Sequence, residues 1–245
     1  MRKFGLIGFP LGHSFSAKYF TEKFQRESIH DCSYSNFEIS AVSELPAILN
    51  DPELEGLNVT IPYKESVINF LNKTDKVVEE TGACNCIRIH QGTVTGYNTD
   101  VIGFEESISE KLTIRDKRSL VLGTGGSSKA VAWVLKKIGI QCLFVSRKEN
   151  GMRDQITYGN LNREILDSHT LIINTTPVGM FPKTDDCPPI PYEYLGPRHY
   201  LFDLIYNPAK TLFLEKGEVV GARTKNGADM LAIQAEASWE IWNNK

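Results

Sequence analysis

Lys64 closes the stretch Asn58-Val-Thr60-Ile-Pro-Tyr-Lys64, in which two polar side chains interrupt an otherwise apolar run. In a strand Asn58 and Thr60 face the same way. Pro62 ends the strand, and Lys64 follows at its carboxyl edge, where open α/β sheets bind ligands. An ammonium held there can protonate or neutralise an oxygen that gains negative charge, although a lysine at an arbitrary position is a solvated surface charge. Downstream, Gly82-Ala-Cys-Asn85 and Gly96-Tyr-Asn98-Thr-Asp100 add amides and a carboxylate. Asp100 fits two roles, a cap for the helix that follows it or a partner for Lys64, and the spacing does not choose between them. Upstream, Gly8-Phe-Pro-Leu-Gly-His13-Ser14-Phe-Ser16 sets two serines two apart in a turn. Both can point at one anion, such as a carboxylate, and Ser16 serves equally well as a helix N-cap.

A second chemistry is written in Ser119-Leu-Val-Leu-Gly123-Thr124-Gly125-Gly126-Ser127-Ser-Lys-Ala130, a strand, a glycine turn and a helix. Gly123 permits the tight turn, Gly125 and Gly126 let the backbone approach a pyrophosphate, and the helix directs its N–H groups and positive end at that anion. Ser128 stands where a third glycine is usual, and a plain strand-to-helix turn without a ligand is the competing reading. The next strand ends Phe144-Val145-Ser146-Arg147-Lys148. An acidic residue there would hold the ribose 2′-hydroxyl of NAD. A hydroxyl followed by two cations suits the 2′-phosphate of NADP, against the alternative of an ordinary solvated loop.

These residues need a scaffold of alternating strands and helices. Apolar patterning predicts strands at 3–9, 34–39 and 56–61, helices at 16–28 and 44–50, and a helix resuming at 63–71 after Pro62. A hairpin is expected at 87–90 and 94–97 around Gln91-Gly92. A helix at 101–111 opens the second half. There, strands at 118–122, 141–145, 171–174 and 200–204 accompany helices at 130–138 and 227–242, the last with Met230, Ile233, Ala237 and Ile241 on one face. The stretch 179–197 holds five prolines and reads as a surface loop. Repeated strand–helix units predict mainly parallel sheets.

With 245 residues, the chain accommodates two modest α/β domains. A net charge of −3 with 23% charged residues, and scattered Lys and Arg, argue against a nucleic-acid partner. The five cysteines form no CxxC pair, so neither a disulfide framework nor a metal site is expected. Cys84 and Cys86, two apart in an expected strand, share a face there and read as small buried side chains. The start MRKFGLIGFPLG is broken by Gly5, Gly8 and Pro10 and fits a first strand better than a signal peptide. No apolar run reaches bilayer length, so a cytoplasmic location and no membrane partner are expected.

Taken in order, GxPxxHSxS, NVTxPYK, GAxN, GxNTD, GxGGxxxA, DxxYxP (Asp203 to Pro208) and a late Gln234 resemble the shikimate dehydrogenases over nearly the whole chain. The resemblance implies a two-domain α/β fold: an N-terminal substrate-binding domain over 1–101 completed by a C-terminal helix in 226–245, a Rossmann-like NADP-binding domain over 102–225, and an interdomain cleft. It implies an oxidoreductase that interconverts 3-dehydroshikimate and shikimate with NADP, as a monomer or homodimer. Lys64 and Asp100 would be the catalytic pair. Ser14 and Ser16 would hold the substrate carboxylate with Tyr206. Thr60, Asn85 and Gln234 would hold ring hydroxyls, backed by Asn58. Gly123, Thr124, Gly125, Gly126, Ser127, Ser146, Arg147 and Lys148 would bind NADP. Asn174, Thr175, Thr176 and Met180 match a loop near its ribose and nicotinamide, and Gly227 would lie near the nicotinamide. Ala17 replaces a usual proline, and Cys84 and Cys86 stand where valine and threonine are usual. An NAD-linked quinate/shikimate enzyme, a catalytically silent NADP sensor and a folate-type dehydrogenase are the rival readings. Arg147, the intact Lys64 and Asp100, and the two serines argue against them in turn.

Overall fold

The computed structural model describes residues 1–12, 15–148, 151 and 154–244. The chain divides into two compact units, Met1–Asp100 joined by the C-terminal stretch from Ala232, and Val101–Leu231.

The first unit contains β1 (Arg2–Gly8), α1 (Phe15–Arg26), β2 (Cys32–Glu38), α2 (Leu45–Leu49), β3 (Leu54–Val59), β4 (Lys73–Thr74), α3 (Lys76–Thr81), β5 (Cys86–His90) and β6 (Thr93–Tyr97). Its six-stranded sheet runs β2-β1-β3-β5-β6-β4. Strands β1, β2 and β3 are parallel, and β5 alone is reversed, antiparallel to both β3 and β6. The sheet is mainly parallel, as expected, and reverses only at the expected β5–β6 hairpin, because a connection as short as Gln91-Gly92 can only reverse the chain. Alternation along the strands splits the apolar residues into two layers. Ile7, Leu57, Val59 and Ile87 pack on Leu45 of α2 and Val78 of α3. Phe4, Cys32 and Cys86 pack on Phe20 and Phe24 of α1 and on Ala235 and Trp242 near the C-terminus.

The second unit opens with α4 (Asp100–Ser109), whose first residue still belongs to the first unit, and continues with β7 (Arg118–Leu122), α5 (Gly126–Lys137), β8 (Gln141–Ser146), β9 (Gln155–Thr157), α6 (Arg163–Ser168), β10 (Leu171–Asn174), β11 (Tyr200–Asp203), α7 (Leu212–Val219) and β12 (Arg223–Asn226). The final helix, α8 (Ala228–Asn243), starts in this unit and returns the chain to the first. The sheet is β12-β11-β10-β7-β8-β9, parallel at every step. Numbered within the unit this is 3-2-1-4-5-6, the doubly wound dinucleotide-binding order, whose strand direction of travel switches between β7 and β10.

Two sequence expectations shift. Residues 63–71 form a short 3₁₀ turn at Ser66–Phe70 instead of an α-helix. Its anchor, Val67, is fully buried, and a three-residue repeat needs only one such contact in so short a segment. Met230 and Ala237 of the expected stripe are buried, Ile233 and Ile241 only partly, and Gln234, Ala235, Ser238 and Trp242 are buried beside them. The buried face is wider than the expected stripe because the helix turns polar as well as apolar residues inward. Among the described residues no helix is long and apolar enough to cross a membrane.

Trp242 ties α8 to the first sheet. It stacks on Phe4 at 4.8 Å and donates its indole N–H to the Ile87 carbonyl at 2.9 Å. Trp242→Ala leaves a cavity and an orphaned carbonyl and should cost about 3–5 kcal/mol. Urea unfolding monitored by circular dichroism checks this, and a loss below about 1 kcal/mol would mean that α8 is not anchored by this residue.

Candidate active site

Lys64 follows the Thr60–Tyr63 turn at the carboxyl edge of β3, and Asp100 is the first residue of α4. The Lys64 ammonium lies 2.6 Å from Asp100 Oδ2, with side chains 15% and 9% exposed. The opposite oxygen, Oδ1, accepts from Asn85 Nδ2 at 2.8 Å. Asn85 is itself oriented, because the Thr99 backbone N–H donates to its Oδ1 at 2.6 Å. A backbone N–H is an unambiguous donor, so the amide must present its NH₂ to Asp100. The carboxylate is therefore clamped by an ammonium on one side and an amide on the other. Of its two candidate roles Asp100 takes the pairing with Lys64: it lies inside α4 as its first residue, and its two carboxylate oxygens are engaged by Lys64 and Asn85.

Behind this pair runs a buried polar chain. Thr99 Oγ1 lies 3.2 Å from Ser238 Oγ, Ser238 accepts from Asn58 Nδ2 at 2.9 Å, and Tyr34 donates its phenol to Asn58 Oδ1 at 2.8 Å. Tyr34 in turn hydrogen-bonds Ser16, and burial pushes its phenol well above the usual range. Gln234 Oε1 sits 3.5 Å from both Asn85 Nδ2 and Thr99 Oγ1. Asn58 and Asn85 are each only 3% exposed, and their amide groups are engaged by protein partners. Asn58 thus joins Tyr34 to Ser238 within this polar chain. Ser16 is the second residue of α1 with its hydroxyl on Tyr34, so it sits inside the first turn and does not cap the helix. Thr60 immediately follows β3 and is half-buried, its N–H bound to the Ile7 carbonyl. Ser14 lies outside the described residues.

Tyr34, Thr99 and Ser238 complete this network and were not singled out in the sequence. Thr99 stood inside the GxNTD motif, but Tyr34 sits in an unremarkable strand and Ser238 on a helix read for its apolar stripe. Cys84 and Cys86 are also separated. Cys84 precedes β5 and joins the layer with Ile87, while Cys86 joins the layer with Trp242. Burial raises both thiols, Cys84 to about 12, which makes them poor nucleophiles. No group of three or more potential metal ligands occurs among the described residues.

In the second unit the nucleotide motif is built at the strand-order switch. Gly123 has φ +111°, and a Cβ there would meet Thr175 Oγ1 at 2.7 Å, so only glycine fits. The first turn of α5 has no side-chain cap, and a Cβ built on Gly125 meets nothing within 4 Å. That leaves an open cradle of N–H groups from Gly126, Ser127 and Ser128, the arrangement that receives a phosphate. Thr124 lies in this turn. Beside it, after β10, Thr175 binds the Leu122 carbonyl through both N–H (3.0 Å) and hydroxyl (2.6 Å), and Asn174 Oδ1 accepts from the Thr176 N–H (3.0 Å) and hydroxyl (2.6 Å). Met180 is exposed on the loop that follows. Arg147 and Lys148 are exposed just past β8, with Ser146 hydrogen-bonded to Gln155 and to the Lys148 carbonyl. This open turn, with two cations past the second strand and no carboxylate at Ser146-Arg147-Lys148, fits a phosphorylated dinucleotide. Tyr206 is half-buried past β11, and burial raises its phenol. Gly227 has a packing reason of its own, since a Cβ would stand 2.4 Å from the Leu204 carbonyl oxygen.

A family model described as the shikimate dehydrogenase substrate binding domain matches residues 6–87. The shikimate dehydrogenase (NADP(+)) of Methanosphaera stadtmanae is 34% identical over 98% of this chain and 91% of its own length. The chain belongs to the shikimate dehydrogenase family. The shikimate dehydrogenase structure from Aquifex aeolicus superposes with a TM-score of 0.88 at 31% identity, covering 99% of this chain and 92% of that one. A Thermus thermophilus structure, determined with NADP(H) and shikimate, gives 0.87 at 26% identity over 99% and 93%. The family's two-domain α/β architecture is the one seen here.

Asp203, the last residue of β11, carries a carboxyl that burial pushes up to about 6. Its folded value exceeds the ordinary 3.8, so the folded chain keeps this proton to higher pH than the unfolded chain. The resulting stabilisation is complete below about pH 4 and is lost as pH rises through about 6, a change of roughly 3 kcal/mol. Asp203→Asn does not titrate. The unfolding free energy of the parent relative to this variant should therefore fall by that amount between about pH 4 and 7. Urea midpoints across this range measure it, and a pH-independent difference would show that Asp203 is not perturbed.

Proposed function

We propose that the chain catalyses the reversible, NADPH-dependent reduction of 3-dehydroshikimate to shikimate, a step toward chorismate and the aromatic amino acids. The observation that carries this reading is the clamped Lys64–Asp100 pair at a strand's carboxyl edge, in a chain of the shikimate dehydrogenase family. When bound, NADPH would supply a hydride to the ketone carbon. Lys64 then has one task, to give its proton to the carbonyl oxygen as negative charge develops there, regaining it from solvent afterward. Asp100 orients the ammonium and accepts a hydrogen bond from the hydroxyl that forms. In the oxidative direction the same lysine, neutral, removes the hydroxyl proton.

Ser14 and Ser16 would hold the substrate carboxylate with help from Tyr206. Thr60, Asn85 and Gln234 would meet ring hydroxyls, with Asn58 behind them. The backbone of Gly123, Thr124, Gly125, Gly126 and Ser127 would receive the pyrophosphate, and Ser146, Arg147 and Lys148 the 2′-phosphate. Asn174, Thr175, Thr176, Met180 and Gly227 would lie along the ribose and nicotinamide. Support for this cofactor choice comes from the exposed cations past β8.

Spectrophotometric assay of NADPH oxidation with 3-dehydroshikimate, repeated with NADH and with 3-dehydroquinate, tests the whole reading. Absence of turnover with 3-dehydroshikimate would refute it. Lys64→Ala should lose on the order of a hundred- to ten-thousandfold in kcat while substrate and NADP dissociation constants change little. A near-normal kcat would remove lysine from the mechanism. Arg147→Ala should weaken NADPH by roughly ten- to a hundredfold and leave NADH nearly unchanged. Equal weakening of both would place the 2′-phosphate elsewhere.

A further inference from the structure

At the carboxyl ends of β7, β10 and β11, one cross-strand row reads Leu122, Asn174, Asp203. Asn174 and Asp203 are polar ends of strands that are otherwise apolar and fully buried. Asp203 Oδ1 accepts from Asn174 Nδ2 at 3.0 Å and from the Ile205 N–H at 3.1 Å, and Oδ2 accepts from the Thr211 hydroxyl at 2.6 Å. With its NH₂ on Asp203, Asn174 has its oxygen turned the other way, onto the N–H and hydroxyl of Thr176. Thr175, the residue between, is pinned to the Leu122 carbonyl and fills the space that a side chain on Gly123 would need. Donation therefore runs from Thr176 through Asn174 to Asp203, and Thr175 separately donates to the Leu122 carbonyl at the end of β7.

We propose that Asp203 is a positioning residue for the nucleotide-binding turn, acting through Asn174 and the Thr175-Thr176 corner, with Thr211 fixing the carboxylate. The proposal rests on the NADP reading above. Its physical basis is that an amide side chain reads its two ends differently. The Asp203 carboxylate, at 3.0 Å, is the nearer of two acceptors for the Asn174 NH₂, the other being the Val178 carbonyl at 3.3 Å, and both turn the Asn174 oxygen toward Thr176. Without the carboxylate the amide is held less firmly, and the two side-chain bonds of the corner that packs against Gly123 weaken with it. Asp203 never needs to touch the nucleotide.

The test compares the full-length parent with Asp203→Ala, Asp203→Asn, Thr211→Val and Thr211→Ser. Calorimetric titration with NADP+ and with shikimate is combined with amide hydrogen exchange at Thr176 in the nucleotide-free protein, all well below each variant's Tm. Asp203→Ala should weaken NADP+ on the order of tenfold and speed Thr176 exchange by a similar factor. Shikimate binding should weaken less than NADP+ binding does, since apart from Tyr206 its proposed wall is built in the first unit. Asp203→Asn keeps an oxygen for Asn174 and Ile205 and should recover NADP+ binding to within about threefold of the parent. If Asp203→Ala does not accumulate folded, Thr211→Val takes its place, with an expected weakening of about threefold that Thr211→Ser restores. Parent-like NADP+ affinity in Asp203→Ala, or in Thr211→Val as its substitute, would reduce the carboxylate to a structural role and overturn the proposal. An Asn variant as impaired as Ala would overturn it too. Should the parent itself bind no NADP+, the cofactor reading fails, and Thr176 exchange alone decides the positioning claim: unchanged exchange in Asp203→Ala, or in its substitute, overturns it.

Discussion

Burying a charge is costly unless a partner and hydrogen bonds replace the water it loses. The Lys64–Asp100 pair is set under that constraint, and much of the first unit is arranged to meet it. The carboxylate cannot be held by lysine alone, because its second oxygen also needs a donor. Asn85 supplies one, and Asn85 then needs Thr99 to fix which end of its amide faces Asp100. Thr99 leads to Ser238, Ser238 to Asn58, and Asn58 to Tyr34. Each polar group recruited to satisfy one neighbour is itself buried and recruits the next. The chain ends where Tyr34 meets Ser16 at the start of α1.

The second unit solves a different problem with the same means. A turn that receives a phosphate must leave its own N–H groups uncapped, as the start of α5 does. Rigidity has to come from elsewhere. It comes from the adjacent corner, where Thr175 and Thr176 are fixed by Leu122 and Asn174, and where Gly123 leaves room for them. The raised Asp203 carboxyl shows the cost of this arrangement, since desolvation outweighs three hydrogen bonds that favour its charged form.

Local signals made much of the fold readable. Strand β7, the glycine turn and α5 are adjacent in sequence, and their order alone predicts an anion-binding helix end. The β5–β6 hairpin is equally local. The elements that went unread are the helices α3, α6 and α7 and three short strands, β4 at Lys73–Thr74, β9 at Gln155–Thr157 and β12 at Arg223–Asn226. A strand of two to four residues carries too few alternations to show a period, and such strands persist because a sheet already offers them an edge.

The sequence by itself determined which residue types were available at each strand end: a lysine after β3, a carboxylate opening α4, glycines after β7 and cations after β8. Those follow from chain order, since a strand's carboxyl edge is fixed once its direction is known. Only the tertiary structure decided that Lys64 reaches Asp100, that Ser238 of α8 faces inward to complete the polar wall, that Cys84 and Cys86 lie in different layers, and that Asp203 orients Asn174. Each of these joins side chains by their direction across elements distant in sequence. Hydrogen-bond direction depends on angles and on contacts within about 3 Å, and no linear spacing encodes either.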